Sequence, residues 1–300
     1  MDSPVSRDAE GLYVALQLTG TLGTDIDTFL HYLGQDKGCS RNTLAAYRND
    51  LTQMARFLTT EQARDIIRSY EDHLKSYLLM LREKRYSAAT TARKIASARS
   101  FFRFMVASGR MKGNPTQDLP SPHVGRHSVK FLSMSEYAKL VAEPAKLTTP
   151  EAKRDVVMLE MLYGTGLRIS ELVSLDVGDI DTARRHVSVG SSRQVPFDAD
   201  LASRLSGFLR SDRLDLLYDE GEQALFLNRR GQRLTRQGVW QIIKEYASRA
   251  GLGDRVTPQT LRHSYARHRL QNGTDLRELQ QLLGHAYVAS TRIYRQSPSR

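Results

Sequence analysis

Residues 257–294 of this 300-residue chain read TPQTLRHSYARHRLQNGTDLRELQQLLGHAYVASTRIY, and their pattern sets the fold of the C-terminal part. Thr257 followed by Pro258 is typical of the start of a helix, and Gly273 is typical of its end. A second helix then runs to Gly284, and a short third helix follows. The stretch therefore predicts three consecutive helices joined by tight turns.

Three side chains with useful chemistry stand at the edges of these helices. They are Arg262, His285 and Tyr294, the last on a short helix that Ser290 can cap. An arginine, a histidine and a tyrosine held in this way could converge on one anion, with the tyrosine hydroxyl as the attacking group. This arrangement favours phosphoryl transfer through a tyrosine, a reaction that needs no metal ion. Spacing alone is a weak indication, because each of these residue types is also common on surfaces and in packing contacts.

The residues around these three side chains are more specific than their spacing. The segments LRHSYARH (261–268), LLGH (282–285) and STRIY (290–294), with YGTGLRISEL (163–172) upstream, closely resemble the motifs of the tyrosine recombinase, or phage-integrase, family. The nearest resemblance is to the Xer-type recombinases that resolve chromosome dimers. It extends from about residue 25 onward, and the motifs match in both order and spacing.

The resemblance implies an enzyme that cuts one DNA strand by attack of a tyrosine on the scissile phosphate, without any cofactor. Such enzymes hold a 3′-phosphotyrosyl link and release a 5′-hydroxyl, which later attacks the link of a partner strand. The residues at the family's catalytic positions are Arg168, Gln259, Arg262, His285 and the nucleophile Tyr294. The residues at supporting positions are Glu171 and His263. The two guanidiniums would stabilise the charge that develops on the phosphate oxygens.

Two groups that the family usually has are missing. The histidine expected three residues before the second arginine is Gln259, an amide that can donate a hydrogen bond but cannot act as a base at neutral pH. The hairpin VSVGSSRQVP (187–196) lacks the lysine thought to protonate the leaving 5′ oxygen, and no lysine occurs between Lys153 and Lys244. Arg193 aligns best with a later arginine of that pattern, and a guanidinium is a poor proton donor. Loss of a general acid lowers a rate by about 10²–10⁴-fold. The resemblance therefore predicts cleavage and leaves its efficiency open.

The net charge of +11 is unevenly placed. Residues 82–112 carry a balance of +8 and residues 255–300 a balance of +6, whereas residues 114–254 are neutral. Two basic patches beside a neutral body are typical of a surface for a polyanion, most often DNA. A solvated basic face without a ligand would give the same composition. Neither patch has the apolar face of a helix that lies on a membrane.

Several classes of protein are disfavoured by composition. The single cysteine, Cys39, excludes an intramolecular disulfide and a cysteine-based metal site. Neither a membrane span nor a secretory signal is visible in the sequence. The sequence therefore predicts a cytoplasmic protein without a membrane partner, and the resemblance implies association with the nucleoid and a reaction without a metal ion.

The N-terminal part predicts a small helical bundle. Residues 1–23 predict a loose tail, and residues 24–113 show helical spacing of apolar residues in four segments, two of them begun by Thr24 and Ser40. The segment SRNTLAAYRNDLTQMARFL (40–58) resembles the core DNA-binding, SAM-like domain of the family. Candidates for contacts with the DNA backbone are Thr43, Tyr47, Arg48, Arg93, Lys94, Arg99 and, in the hairpin, Arg193. Each could equally be an ordinary exposed or core residue.

The remainder predicts a linker over 114–130 and a catalytic domain over 131–300. Strands are predicted at 186–189 and 194–197 as a hairpin, and residues 225–227 can add a third strand. Trp240 fits core packing better than base stacking. The predicted fold class is mainly α with a small antiparallel β-sheet, with an N-terminal helical bundle and a mixed α/β catalytic domain of tyrosine-recombinase type.

The sequence thus favours a site-specific recombinase acting in DNA integration or in chromosome or plasmid dimer resolution. Its expected partner is double-stranded DNA with a specific core site, bound by a homo-oligomer, a tetramer in the family, alone or with a second recombinase. Two other interpretations stay open: a DNA-binding accessory relative with weakened catalysis, and an enzyme like the type IB topoisomerases, which the bundle-and-linker layout disfavours. A basic protein that binds no nucleic acid would require the motif matches to be chance. Six residues follow Tyr294 where many relatives have another helix, so assembly differs or the chain is truncated.

Overall fold

The computed structural model of the protein describes residues 22–58, 70–120, 129–191, 193–285 and 288–295. The chain divides into two compact units, and the division between Arg126 and His127 lies inside the predicted linker. The predicted N-terminal tail lies outside the described residues, apart from residues 22 and 23. Every helix within these ranges is too short or too polar to be a membrane span.

The first unit is a helical bundle. Its described helices are α1 (22–35), α2 (Arg41–Leu58), α3 (Tyr70–Glu83) and α4 (Ala88–Ala107). Ser40 and Ser87 accept hydrogen bonds from the backbone three residues later, as serines at helix starts do. The prediction that Thr24 begins the first helix is wrong, because α1 already includes Leu22, whose buried side chain belongs to the core.

Aromatic side chains connect the helices of this bundle. The ring of Phe29 on α1 packs edge-on against Phe101 on α4, with ring centroids 5.6 Å apart, and lies 6.4 Å from the ring of Tyr47 on α2. Leu51 and Leu81 belong to the same core and are fully buried. The apolar stripes read from the sequence thus form one common core.

The second unit combines helices with one small sheet. Its helices are α5 (Met134–Ala145), α6 (Pro150–Thr165), α7 (Ile169–Ser174), α8 (Ala199–Arg210), α9 (Arg236–Arg249), α10 (Pro258–Gln271), α11 (Leu276–Leu283) and α12 (Ala289–Arg292). Short 3₁₀ turns lie at Val177–Asp179, Leu214–Leu216, Gly253–Arg255 and Ile293–Arg295. The sheet has the strands β1 (Ile180–Asp181), β2 (His186–Val189) and β3 (Arg193–Pro196), all antiparallel in the order β1-β2-β3. The predicted fold class is confirmed.

Helix α6 lies at the centre of this unit. Met158, Leu159 and Leu162 are completely buried on it and pack into the same core as Val187 and Val195 of the hairpin. Thr149 caps the start of α6, and Gly166 ends it with a φ of 63°, a conformation that favours glycine. The residues that follow Gly166, among them Arg168, therefore continue from the end of this buried helix.

Two predictions for this unit are wrong. The third strand is β1, whereas residues 224–227 form only single bridges, Asp176 with Ala224 and Leu227 with Arg233. Trp240 is not in the core: it is 46% exposed, and the Lys244 ammonium lies 5.5 Å from its ring centroid. Val239 and Ile243 occupy the buried face of α9, so the tryptophan falls on the opposite face.

Candidate active site

Arg262 lies in the first turns of α10, where Thr257 caps the helix and Pro258 occupies its first position. Its side chain is only 3% exposed. The guanidinium donates from Nη1 to the Gly166 carbonyl at 2.7 Å and from Nη2 to the Leu283 carbonyl at 2.6 Å. Burial, followed by the nearby charge of Arg168, lowers the pKa of Arg262 to about 10, so the group stays charged at neutral pH.

Glu171 holds three arginines together. It accepts a hydrogen bond from the Arg168 backbone N–H at 2.7 Å and one from the Arg168 side chain at 2.8 Å. Arg193 of β3 lies 2.8 Å from the same carboxylate as an ion pair, and Arg262 lies 3.7 Å away. Burial would raise the pKa of Glu171, but the Arg168 backbone N–H and the charges of Arg193 and Arg168 outweigh burial and lower it. The carboxylate is therefore ionised and offsets part of the positive charge of the cluster.

The C-terminal end of α11 receives these arginines. Gly284 ends that helix with a φ of 59°, and its carbonyl accepts a hydrogen bond from Arg168 Nη2 at 2.9 Å. A Cβ atom at Gly284 would lie 2.0 Å from Arg193 Nη1, so only glycine allows this approach. The glycine of the LLGH segment thus sets the distance between the hairpin and the helix end.

His285 follows directly and faces the third helix of the motif. Its Nδ1 lies 3.0 Å from Thr291 Oγ1, and its ring is nearly parallel to that of Tyr294, with centroids 6.4 Å apart. Burial, Arg262 and Arg168 lower the pKa of His285 to about 4, so the ring is neutral at pH 7. The prediction that Ser290 caps this helix is wrong, because α12 already begins at Ala289. Sequence reasoning missed Thr291, a fully buried residue whose partner is six positions away.

Tyr294 lies on the 3₁₀ turn after α12 and is only 4% exposed. Its ring packs in a small apolar cluster with Tyr265, Leu279 and Leu283. Its hydroxyl lies 2.8 Å from His263 Nδ1. Burial raises the pKa of Tyr294, while the charges of Arg262 and Arg168 act in the opposite direction. The hydroxyl is therefore protonated at rest and lies within the field of both arginines.

Gln259 lies one turn before His263 on the same face of α10. Both side chains line a cavity of about 290 Å³. Lys130 and Arg255 contribute to its wall. The structure thus joins Arg168, Arg193 and Arg262 through Glu171. It places Tyr294 against His263 and His285. Gln259 lies beside His263 in the wall of the cavity.

The candidate DNA contacts of the first unit have a different character. Lys94 is buried, and its Nζ binds Asp50 at 2.9 Å and also Gln53. Arg93, which is 43% exposed, pairs with the other oxygen of Asp50. The ammonium of Lys94 is therefore a core partner of a buried carboxylate and is not presented to a phosphate.

The other candidates in that unit lie at its surface or at its edge. Arg48 is 56% exposed and pairs with Asp27. Arg99 is half-buried and donates to the Leu119 carbonyl. Tyr47 packs on the core, and Thr43 shares a hydrogen bond with Ser40. Contact of these residues with DNA stays a prediction.

Two family models match the chain: "Phage integrase family" over residues 130–300, and "Phage integrase, N-terminal SAM-like domain" over residues 26–109. The chain belongs to the phage integrase family. Among its relatives, the tyrosine recombinase XerC of Herpetosiphon aurantiacus is 43% identical over 273 residues, which cover 90% of this chain and 89% of that protein. The tyrosine recombinase XerD of Shewanella oneidensis is 38% identical over 275 residues, which cover 90% of each of the two proteins.

Solved structures of the phage integrase family have the same fold. The XerA recombinase superposes with a TM-score of 0.52 at 27% identity, over 92% of this chain and 94% of that chain. The integrase of the transposon Tn1549, in complex with circular intermediate DNA, gives a TM-score of 0.73 at 17% identity, over 92% and 96% of the two chains. This phage integrase family member is a site-specific recombinase of the Xer type that uses the tyrosine recombinase mechanism.

Proposed function

We propose that Tyr294 is the nucleophile, and that it attacks a DNA phosphodiester to form a 3′-phosphotyrosyl link while a 5′-hydroxyl leaves. One observation carries this assignment: the Tyr294 hydroxyl is held by His263 at 2.8 Å, and the charges of Arg262 and Arg168 act on it. A phosphodiester repels an oxygen nucleophile, so a tyrosine that cuts DNA needs fixed positive charge beside it.

The arginine cluster would supply that charge. Arg168 and Arg262 are oriented by backbone carbonyls and by Glu171, and each guanidinium keeps further N–H groups for a ligand. Preorganised donors stabilise a developing oxyanion more than solvent does, because they do not reorganise during the reaction. His285, bound through Nδ1 to Thr291, can donate from Nε2 to a non-bridging oxygen.

The leaving 5′ oxygen lacks an efficient proton donor in the hairpin. Arg193 is the basic residue of the hairpin closest to the position where the family has its lysine, and its guanidinium forms an ion pair with Glu171. An arginine stays protonated and cannot transfer a proton efficiently. We expect cleavage that is slower by about 10²–10⁴-fold than with a general acid in this position.

The proposed partner is double-stranded DNA with a specific core site. The XerH recombinase bound to difH and the lambda integrase dimer bound to a COC′ core site share the fold, which supports a DNA ligand here. A tetramer on DNA, a second recombinase as partner and association with the nucleoid are further proposals. They rest on the similarity to the Xer-type recombinases.

Trapping the covalent link would test the assignment. Tyr294→Phe protein can first select its preferred duplex from a pool with randomised arms, because it binds without cutting. The selected duplex is then nicked near the cleavage point and incubated with the wild type and with Tyr294→Phe on a denaturing gel. A protein–DNA band in the wild type alone would support the proposal. Tight, salt-sensitive binding without any band would instead assign the chain to DNA binding without catalysis.

A further inference from the structure

We propose that His263 takes the proton of the Tyr294 hydroxyl as that oxygen attacks phosphorus. This role rests on the proposed function of Tyr294. It makes His263 a catalytic residue, beyond a support of the pocket, because its Nδ1 is 2.8 Å from the reacting oxygen. The two rings are tilted by 53° with centroids 5.3 Å apart, and their polar atoms meet at hydrogen-bond distance.

Because Gln259 stands where the family usually has a histidine, another residue is needed to accept the proton of the tyrosine. An amide at that position cannot accept a proton at neutral pH. His263 lies four residues later on the same face of α10, and both line the same cavity. An imidazole one turn along the helix therefore reaches the hydroxyl that the amide cannot deprotonate.

The surroundings of His263 keep its ring neutral. The ring is half-buried beside Phe131, and burial together with the charge of Arg262 lowers the pKa of His263 to about 4. The other charged or titratable groups that face it are Tyr294, Lys130, Asp254 and Arg255. With its proton on Nε2, the ring presents the Nδ1 lone pair to the tyrosine.

The step balances in protons. The Tyr294 O–H bond breaks as the Oη–P bond forms, and its proton moves to His263 Nδ1. The P–O5′ bond breaks, and the 5′ oxygen takes a proton from water. The hydroxide left behind takes the proton held by His263, so the net change is one P–O bond exchanged for another. Rejoining follows the same path in reverse.

Single-turnover cleavage of the nicked duplex would test this role. The variants are His263→Asn, which keeps a polar group near Nδ1 but cannot take a proton, and His263→Ala. A matched control is His268→Asn, because His268 lies on the same helix and also contacts a tyrosine hydroxyl, that of Tyr163, through Nδ1. We expect both His263 variants to cleave about 10²–10⁴-fold more slowly with unchanged DNA affinity, and the control to cleave normally.

The pH profile separates proton transfer from a structural role. The wild-type rate should be flat from about pH 6 to 8, whereas the rate of His263→Asn should rise about tenfold per pH unit, because hydroxide must then remove the proton. Adding Gln259→His to His263→Asn should recover part of the rate, since it restores an imidazole one turn earlier. A duplex with sulfur in place of the leaving 5′ oxygen should not rescue the variants, because that substitution helps only the leaving group.

Several outcomes would overturn the inference. His263→Asn could cleave as fast as the wild type, or slowly with the wild-type pH profile, which would indicate packing alone. In either case the wild type still forms the covalent band, so the proposed function stands. If the wild type forms no band at all, the proposed function fails, and the role of His263 fails with it.

Discussion

Glu171 allows a sharp test of how the arginine cluster is held together, because Glu160 of the same unit is a matched control. The two carboxylate side chains are almost equally buried, at 17% and 15% exposure. Burial is outweighed at Glu171 by the Arg168 backbone N–H and by Arg193, which lowers its pKa, whereas burial prevails at Glu160 and raises its pKa. Glutamine removes the charge and keeps the shape. The two substitutions should therefore have different effects on stability.

The magnitude follows from the contacts. In Glu171→Gln, three guanidiniums lose the carboxylate between them, with contacts of 2.8, 2.8 and 3.7 Å. A hydrogen bond to a charged group contributes about 1.5–3 kcal/mol, and the share of Arg168 is reduced by solvent screening because that side chain is 42% exposed. We expect the free energy of unfolding to fall by about 2–4 kcal/mol. Glu160→Gln removes one pair with an arginine that is 57% exposed, and it should change the free energy by less than about 0.5 kcal/mol.

Thermal unfolding of both variants at pH 7 measures the difference. A unit of this size loses about 2–4 °C in Tm per kcal/mol, so Glu171→Gln should lower the Tm by about 4–16 °C and Glu160→Gln by less than about 2 °C. Duplex DNA should narrow the deficit of Glu171→Gln, because phosphates offer negative charge to the same guanidiniums.

The pH dependence gives a second readout. The folded pKa of Glu171 lies below its unfolded value of 4.5, so its stabilising contribution is complete above pH 4.5 and is lost as the pH falls through the folded pKa. The difference in free energy of unfolding between Glu171→Gln and the wild type should therefore shrink as the pH falls through that range. An equal fall in Tm for both glutamine variants at pH 7, or a higher Tm for Glu171→Gln, would refute the role assigned to Glu171.

Four further predictions follow from the described contacts. Gly166→Ala should lower the free energy of unfolding by about 2–4 kcal/mol in urea titrations, because its φ is 63° and an added Cβ would lie 2.3 Å from a buried tyrosine ring. Lys94→Met should destabilise the first unit by about 2–4 kcal/mol. The dependence of DNA affinity on salt concentration should stay unchanged, and a weaker dependence would show that Lys94 contacts a phosphate after all. Ser191→Lys, at the hairpin turn, should speed cleavage, and the acceleration should disappear on a duplex with a 5′-sulfur leaving group. The two site histidines have folded pKa values near 4 against 6.5 unfolded. Stability should therefore fall as pH drops from 6.5 towards 4, by up to about 1.4 kcal/mol per pH unit for each ring, and unfolding measured across that range checks it.

Local signals made the helices predictable. Capping residues such as Thr257 and Asp275, and glycines that end helices such as Gly284, act within one turn, so their effect is written in adjacent residues. The apolar period placed the core faces of the bundle for the same reason. The motif segments predict that Arg168 and Arg262 act on one phosphate, and in the structure their guanidiniums donate to the adjacent carbonyls of Gly284 and Leu283. Their action on a phosphate stays a prediction.

Partners distant in sequence were not predictable. Lys94 looked like a basic surface residue on α4, but the buried carboxylate of Asp50 lies forty-four positions earlier and draws it inward. Trp240 fits core packing better than base stacking, but on α9 the buried face belongs to Val239 and Ile243 and not to Trp240. The ion pair between Arg193 and Glu171 depends on how the hairpin packs on α11, which no local pattern records.

The site is better equipped to stabilise negative charge on a phosphate than to donate a proton to the leaving oxygen. The three guanidiniums around the Glu171 carboxylate can stabilise negative charge on a phosphate without changing their own protonation. Two histidines held neutral at pH 7 can accept a proton but carry no extra proton to give. In the reaction proposed above, the Tyr294 hydroxyl thus has a proton acceptor within hydrogen-bond distance, whereas the hairpin has no lysine to protonate the leaving 5′ oxygen. Because rejoining is cleavage in reverse, the group that would protonate the 5′ oxygen would also deprotonate the 5′-hydroxyl. Its absence therefore slows both steps by the same factor, which lengthens the lifetime of the phosphotyrosyl link without changing its amount at equilibrium.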